Sequence, residues 1–290
     1  MAISNSTTLN DLVGQIVSSS AQSAAYSFRV MRPLIRGREV GAGAGSIVIP
    51  RFQSLTVAGL TEGTAPIAEA ATSDGVTLTP VERGVLNTIS KQVLYSDPFS
   101  DLAPYGEQMG RALAQDEDKL ILAIAPSFTT SVVNEQTTTP ANCDADDLLT
   151  AIGKLEAQNA PPPYFGVFHP ISWAKIRAGL DDAATYANVG KLIVEGFGEG
   201  LTQRQGYVGS PYGVPCFIST QVDSTLDTAA TYSNLVASRE AIGYAWTYDL
   251  RVDIDDNIPA RAFDAMGWYA GDAALLVNAY GVNLQDDING

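Results

Sequence analysis

Residues 46–58 read SIVIPRFQSLTVA and residues 75–97 read GVTLTPVERGVLNTISKQVLYSD. Between these two limbs, Gly59 to Asp74 supply Gly, Thr, Ala and Pro, the residues of turns and exposed tips, with Glu62, Gly63, Glu69 and Asp74 among them. The pattern predicts one long β-hairpin over 46–96. A two-stranded ribbon is marginal alone in water, so this one needs a surface to lie on. If the rest of its own chain does not provide one, a neighbour must.

The clearest helix follows the return limb. Asp101 is placed to cap it, and Pro104 falls in the first turn, where proline is tolerated. Leu102, Met109, Leu113, Leu120 and Ile124 fall on one stripe, Glu107 and Arg111 form an i, i+4 pair of favourable polarity, and Pro126 ends the run. Some 24 residues at about 1.5 Å each give roughly 36 Å, long enough for a spine. The triplet Asp116-Glu117-Asp118 reads as the wet face of this helix.

On the N-terminal side, residues 1–28 are rich in Ser, Thr, Ala and Asn, with a helix expected around Thr8 to Ser19. They have too little bulk for a core and read as an arm lying on something else. The run GAGAG at Gly41 to Gly45 reads as a flexible joint. On the C-terminal side come a Thr-rich loop or edge strand over 127–141 and a helix after Asn142 or Asp144 carrying Leu148, Leu149, Ile152 and Leu155. The strand YFGVFH and a helix opened by His169-Pro170 follow. Residues 181–210 are a Gly-rich loop with a short helical piece around Lys191 to Gly196. Strands are expected at Val214 to Ser219, Asn234 to Ser238, Tyr248 to Asp255, Ala262 to Ala270 and Ala273 to Leu284. The class is α+β, with the spine helix packed on the late strands.

The 290 residues are 46% hydrophobic and 17% charged, enough for a real core and sparing in charge, as suits a subunit that meets copies of itself. Net charge is −15. Residues 1–60 carry Arg29, Arg32, Arg36, Arg38 and Arg51 against Asp11 and Glu39, so the acid lies in the remainder. An acidic body excludes general nucleic-acid binding, which needs clustered Lys and Arg. For the Arg29–Arg38 cluster the alternatives are contact with nucleic acid or a scaffold protein and pairing with acidic residues of the same or an adjacent subunit; subunit pairing is the favoured reading. No apolar run reaches the roughly 18 residues of a membrane span, and a secretory signal pattern is missing. Cys143 and Cys216 read as two reduced thiols in a cytosolic protein.

Catalytic chemistry is thinly represented. His169 is the single histidine, and without a GxSxG its expected place is a helix start, where ring or backbone meets free N–H groups. GAGAG lacks the strand-before, helix-after setting of a dinucleotide loop. Asp253, Asp255 and Asp256 do not match an EF-hand, and alternate strand residues face opposite sides. A solvated or intersubunit face is the better reading. No catalytic residue, cofactor or metal is expected.

The order of these elements resembles the major capsid proteins of tailed phages with the Hong Kong 97 fold. The resemblance covers roughly 29–285. It is carried by the tip LTEGTAPIAEA, the return limb VTLTPVERGVLNTISKQVLYSD leading into the spine helix, PPPYFGVFHPISWAKIRAGL, GYVGSPYGVPCFIST, SREAIGYAWTYDLRVDIDD and the ending YAGDAALLVNAYGVNL. It implies an N-terminal arm over 1–45, an extended loop over 46–96, a peripheral domain over 97–140 and 241–271, and an axial domain over 141–240 and 272–290. It also implies a coat protein of the virion that is not an enzyme. Such a subunit assembles in the host cytoplasm as pentamers and hexamers into an icosahedral shell around double-stranded DNA. Separate scaffolding, portal and decoration or cement proteins are possible partners, since a long acidic prodomain is not visible. Subunit contacts are expected at Arg29, Arg32, Arg36, Arg38, Glu62, Gly63, Glu69, Asp253 and Asp255. An encapsulin-like nanocompartment is the nearest alternative and a β-rich hydrolase a remote one.

Overall fold

The structure is a computed structural model and describes residues 6–41, 43–52, 59, 73–92, 103–134, 142–181, 206–222, 224–225 and 231–287. The hairpin tip with Glu62, Gly63 and Glu69, the cap Asp101, Leu102, and the helical piece near Lys191 lie outside these residues.

The arm helix α1 spans Ser6–Phe28, longer than the sequence suggests, and the spine helix α2 spans Ala103–Leu122. The two cross at very short range. Val17, Ala21, Ala24 and Ala25 line the buried side of α1, and α2 meets them with Gly106 and Gly110. A Cβ on Gly106 would lie 2.5 Å from the Val17 carbonyl oxygen, and one on Gly110 would lie 2.9 Å from the Ala21 carbonyl carbon. The scarcity of bulk in the arm is thus what lets it lie backbone against backbone on its own spine helix.

From α1 the chain enters β1 (Arg36–Glu39), then β2 (Ile47–Phe52), with Gly43 between them at φ +85°, a conformation open to glycine. β2 pairs antiparallel with β3 (Ser73–Leu78). Among the described residues, the predicted hairpin holds over this base and not over 81–90. At Thr79-Pro80 the return limb leaves β2, the Thr79 N–H donating to Asp272 at 2.8 Å, and β4 (Val81–Ser90) pairs instead with β12 (Ala262–Leu275). Proline has no N–H to continue a ladder, which sets the break. The ribbon base rests on its own chain: Ile49 and Leu78 are buried with Val40, Ala245 and Leu276.

Two sheets organise the rest. The first has the order β1–β11–β12–β4, where β11 spans Ile242–Asn257 and β1 runs parallel to it. One face of this sheet covers the spine helix through Val85, Leu250, Val252 and Tyr269 against Leu113, as the sequence predicts. The second is seven-stranded. Along its main path run β5 (Val132–Val133), β13 (Gly281–Asp287), β10 (Thr231–Ser238), β6 (Tyr164–Phe168), β8 (Cys216–Ile218) and β7 (Tyr207–Gly209), with β9 (Ser224–Thr225) paired to β10. The predicted strand from Ala273 to Leu284 is therefore two strands in two sheets. Leu276 and Val277 turn back on the Ala241 carbonyl, and the 3-10 turn Asn278–Tyr280 separates them.

Helix α3 (Ala145–Ala157) is capped by Asp144 in a reciprocal box with Asp147, and α4 (Pro170–Asp181) follows β6. Both pack on one face of the second sheet through Leu148, Ile152, Leu155, Trp173 and Ile176. Leu149, predicted among the packed residues of α3, is exposed. The other face supplies Phe165, Val167, Phe217 and Leu235 to a core shared with Ile121 and Leu122 of α2, Met31 and Ile35 of the arm, and Tyr244 of the first sheet. The end of the spine helix is where both lobes meet.

The helix crossing gives a test of sign. Alanine is better than glycine inside a helix by about 1 kcal/mol, so Gly153→Ala, with nothing within 4 Å of its Cβ, should stabilise the protein. Gly110→Ala should destabilise it by about 1–3 kcal/mol through overpacking. Urea denaturation of the two variants measures both; a gain for Gly110→Ala would mean that the helices are not in contact.

Candidate functional site

The charged centre of the molecule lies at the arm–spine crossing. Glu117 is four residues from Leu113 and three from Leu120, so it falls on the apolar stripe of α2 and is 1% exposed, and its neighbour Asp118 is 2% exposed. The reading of Asp116-Glu117-Asp118 as a wet face is corrected for these two residues. A buried carboxylate needs a partner. Arg29 provides it, with Nε 2.5 Å from Glu117 Oε2 and Nη2 2.7 Å from Asp249 Oδ1. Arg32 joins with Nη1 2.9 Å from the same Asp249 oxygen and its guanidinium 4.3 Å from the centre of the Trp246 ring.

Asp249 is aimed at the two arginines by irregular pairing in β11, where the register to β12 shifts between Trp246 and Tyr248 and again between Tyr248 and Arg251. Burial alone would raise its carboxyl pKa, but the hydrogen bond and charge of Arg29, with Arg32, hold it well below the ordinary value. Asp118 differs. Its oxygens accept the N–H of Val30 at 3.0 Å and of Met31 at 2.9 Å, two backbone donors just beyond the end of α1. Burial pushes it up to about 7, with the Glu117 charge adding to the rise and the two backbone donors and Arg29 opposing it.

The other predicted contact residues are dispersed. Arg36 pairs with Glu240 at 2.9 Å near the surface, and Arg38 is exposed on β1 with no ion pair to its own chain among the described residues. Three of the four clustered arginines therefore meet acids of their own chain. Asp253 and Asp255 share the face of the first sheet that turns away from α2, Asp253 accepting the Trp268 Nε1–H at 3.0 Å. Asp256 faces the other way and pairs with Lys91 at 2.5 Å. No group of three or more metal-binding side chains occurs among the described residues.

His169 sits at the start of α4, as expected. Its Nδ1 accepts the Ile171 N–H at 3.3 Å, its carbonyl accepts the Trp173 N–H at 2.9 Å, and its ring stacks on Tyr232 at 3.8 Å. Asp286 is bonded to Ser172 at 2.7 Å, to Lys175 at 3.2 Å and to the Cys143 N–H at 2.9 Å, which ties α4 to the last strand. Cys143 and Cys216 are free and buried.

One feature escaped the sequence reading. Leu86 of β4 and Met266 of β12 stand directly opposite each other and are 61% and 48% exposed, beside Asp253. Ile258, at the tip joining β11 to β12, is 75% exposed. Alternation along β4 and β12 could have placed the pair on one face, but only once those two strands were known to be neighbours. No helix among the described residues is long and apolar enough to cross a membrane.

The family profile described as phage capsid protein matches residues 74–282. No curated protein matches the chain. Among solved structures, the chain is similar to the capsid of Cyanophage P-SCSP1u, at 16% identity and TM-score 0.65 over 89% of this chain and 88% of the other. It is similar to the Mycobacterium phage Che8 structure at 18% identity and TM-score 0.60, over 83% of this chain and 84% of that one. It is also similar to the virus-like particle from Pyrococcus furiosus at 11% identity and TM-score 0.62, over 93% and 98% of the two chains. At these identities the likeness is one of fold.

The two kinds of arginine pair predict different costs. Arg29→Ala leaves Glu117 buried without its nearest cation and should cost about 3–5 kcal/mol. Arg36→Ala removes a pair whose side chains are 40% and 45% exposed and should cost less than about 1 kcal/mol. Chemical denaturation of both variants decides; equal losses would show that the Arg29 cluster is solvated.

Proposed function

The chain belongs to the phage capsid protein family and is a major capsid protein with the Hong Kong 97-like fold; on that premise we propose how it builds its shell. The single observation that carries the proposal is the extent of the family match, 74–282, which runs through both sheets and the spine helix between them.

In this proposal the subunit assembles in the host cytoplasm as pentamers and hexamers that close into an icosahedral shell around double-stranded DNA. The axial domain of 141–240 and 272–290, which holds the seven-stranded sheet apart from β5, gathers at the fivefold and sixfold axes. The peripheral domain of 97–140 and 241–271, which holds α2, β11 and most of β12, meets neighbouring capsomers. The clamp on Ile49 and Leu78 fixes the direction in which the ribbon leaves the body, and its tip works on an adjacent subunit. Leu86, Met266 and Ile258 are apolar side chains that a second copy would cover. The acidic balance lets the shell hold DNA without sequence-specific binding. Scaffolding, portal and decoration proteins are the partners that such assembly calls on. No enzymatic role is proposed; His169, the single histidine, accepts the Ile171 N–H at a helix start. An encapsulin-like compartment draws on the fold alone, and particles filled with a cargo enzyme in place of DNA would favour it.

Expression alone and with a scaffold should yield megadalton species on sedimentation; a stable monomer under both conditions would overturn the proposal. Removing residues 60–73 should impair shell stability while leaving the melting of the isolated subunit unchanged, whereas a parallel fall in both would place the tip in the subunit's own fold.

The shell should also hold without covalent cross-links. The chain has no lysine before Lys91, and that amine is already paired with Asp256 at the foot of the return limb. Particles boiled in detergent with reductant should give one band near 30.6 kDa. A surviving ladder of rings would refute this and point to Lys91.

A further inference from the structure

We propose that Asp118 is a proton-gated latch, whose protonation sets how firmly the arm is held at the joint between the spine helix and the two lobes. The inference concerns the subunit itself and does not rest on shell assembly.

The charge count of the buried cluster motivates it. Two arginines, Arg29 and Arg32, face two carboxylates, Glu117 and Asp249, and these pair off. Asp118 is a third carboxylate at the same place, with no ion pair of its own among the described residues; its partners are the backbone donors of Val30 and Met31. Ionised, it adds an uncompensated charge beside Glu117. Protonated, it leaves the cluster neutral.

Among the described residues, the surrounding groups do not supply the missing cation. On the same helix, Asp116 is turned to the Tyr269 hydroxyl at 2.7 Å and to Arg83 at 3.4 Å. From α1 and β11, the Tyr26 and Tyr244 phenols have raised pKa values, through the Asp249 charge for the first and through burial for the second, and stay neutral. From the second lobe, Pro170, Ser219 and Gln221 line a cavity of about 270 Å³ with Val30, Gln115 and Asp118, and among the described residues no other ionisable side chain lines it. That cavity gives solvent protons a route to the carboxyl.

The direction follows from the raised carboxyl. Native Asp118 titrates near 7, above its ordinary 3.8. Between those values the folded chain holds a proton that the unfolded chain has lost, so stability declines as pH rises through the window and levels off above 7. Asp249 shifts the opposite way and loses its contribution only in acid below its ordinary value. His169, lowered by burial, also opposes Asp118, since its folded form takes up its proton at lower pH than the unfolded chain does. It lies in the second lobe, so the readout has to be local to the arm.

That readout is hydrogen exchange of the amides within residues 25–35, corrected for the chemical exchange rate, from pH 5 to 8.5. In the wild-type protein opening should rise about tenfold per pH unit below 7 and level off above it. In Asp118→Asn, which keeps an acceptor and cannot ionise, opening should be independent of pH. A wild type without the rise, or an Asp118→Asn variant that retains it, overturns the proposal. Should that variant fail to fold, Glu117→Gln removes the charge that repels Asp118 and should move the midpoint to lower pH; an unmoved midpoint overturns the proposal equally.

Discussion

Glu117 stands on the apolar stripe of the spine helix, and an ionised carboxylate at that depth is tolerable only because Arg29 reaches it from the arm. Removing either partner strands the other, so the arm and the helix are obligatory to one another. The rest of the N-terminal path inherits this constraint. With Arg29 fixed, Val30 and Met31 meet Asp118, Arg32 lies over Trp246, and the chain is delivered to β11 in the register that β1 requires, Arg36 opposite Gly243 through Glu39 opposite Trp246. β1 in turn brings Val40 to the patch on which Ile49 and Leu78 seat the ribbon.

Small residues make this geometry reachable. Gly106 and Gly110 open the surface of α2 enough for the alanine side of α1 to lie against it, and Gly267 of β12 does the same on the opposite side, where a Cβ would sit 2.9 Å from Leu113 and 3.0 Å from Met109. The spine helix is thereby enclosed between an arm and a sheet, while its last turn enters the core that joins the two lobes. A coat subunit needs a body stiff enough to transmit contacts from one side to the other, and a dense helix held on several sides is a physical means to that end.

Local signals carried much of this architecture in the sequence. The spine helix follows from the spacing of Met109, Leu113, Leu120 and Ile124, the start of α3 from Asp144, and the start of α4 from His169-Pro170. Failures arose where a nonlocal partner overrides a local pattern. Glu117 and Asp118 read as solvent-facing because the cation and the backbone donors that hold them lie some 88 residues earlier. The return limb reads as one strand because nothing near Pro80 announces that β12 is waiting to pair with β4. Ala273 to Leu284 reads as one strand because the apolar run continues across the turn from one sheet to the other. The arginine cluster was legible as an ion-pairing group, though not which acids it would meet, because the aim of Asp249 depends on bulges that the sequence does not mark.

The central claim is that this chain is a shell subunit whose arm is anchored to its own spine helix by the buried Arg29–Glu117 pair. A side-chain-resolution reconstruction of assembled particles tests it most directly. The account predicts a closed icosahedral shell in which Arg29 of every subunit meets Glu117 of the same chain. Particles in which the arms cross so that Arg29 meets Glu117 of another subunit, or a preparation containing only a small open oligomer, would contradict it.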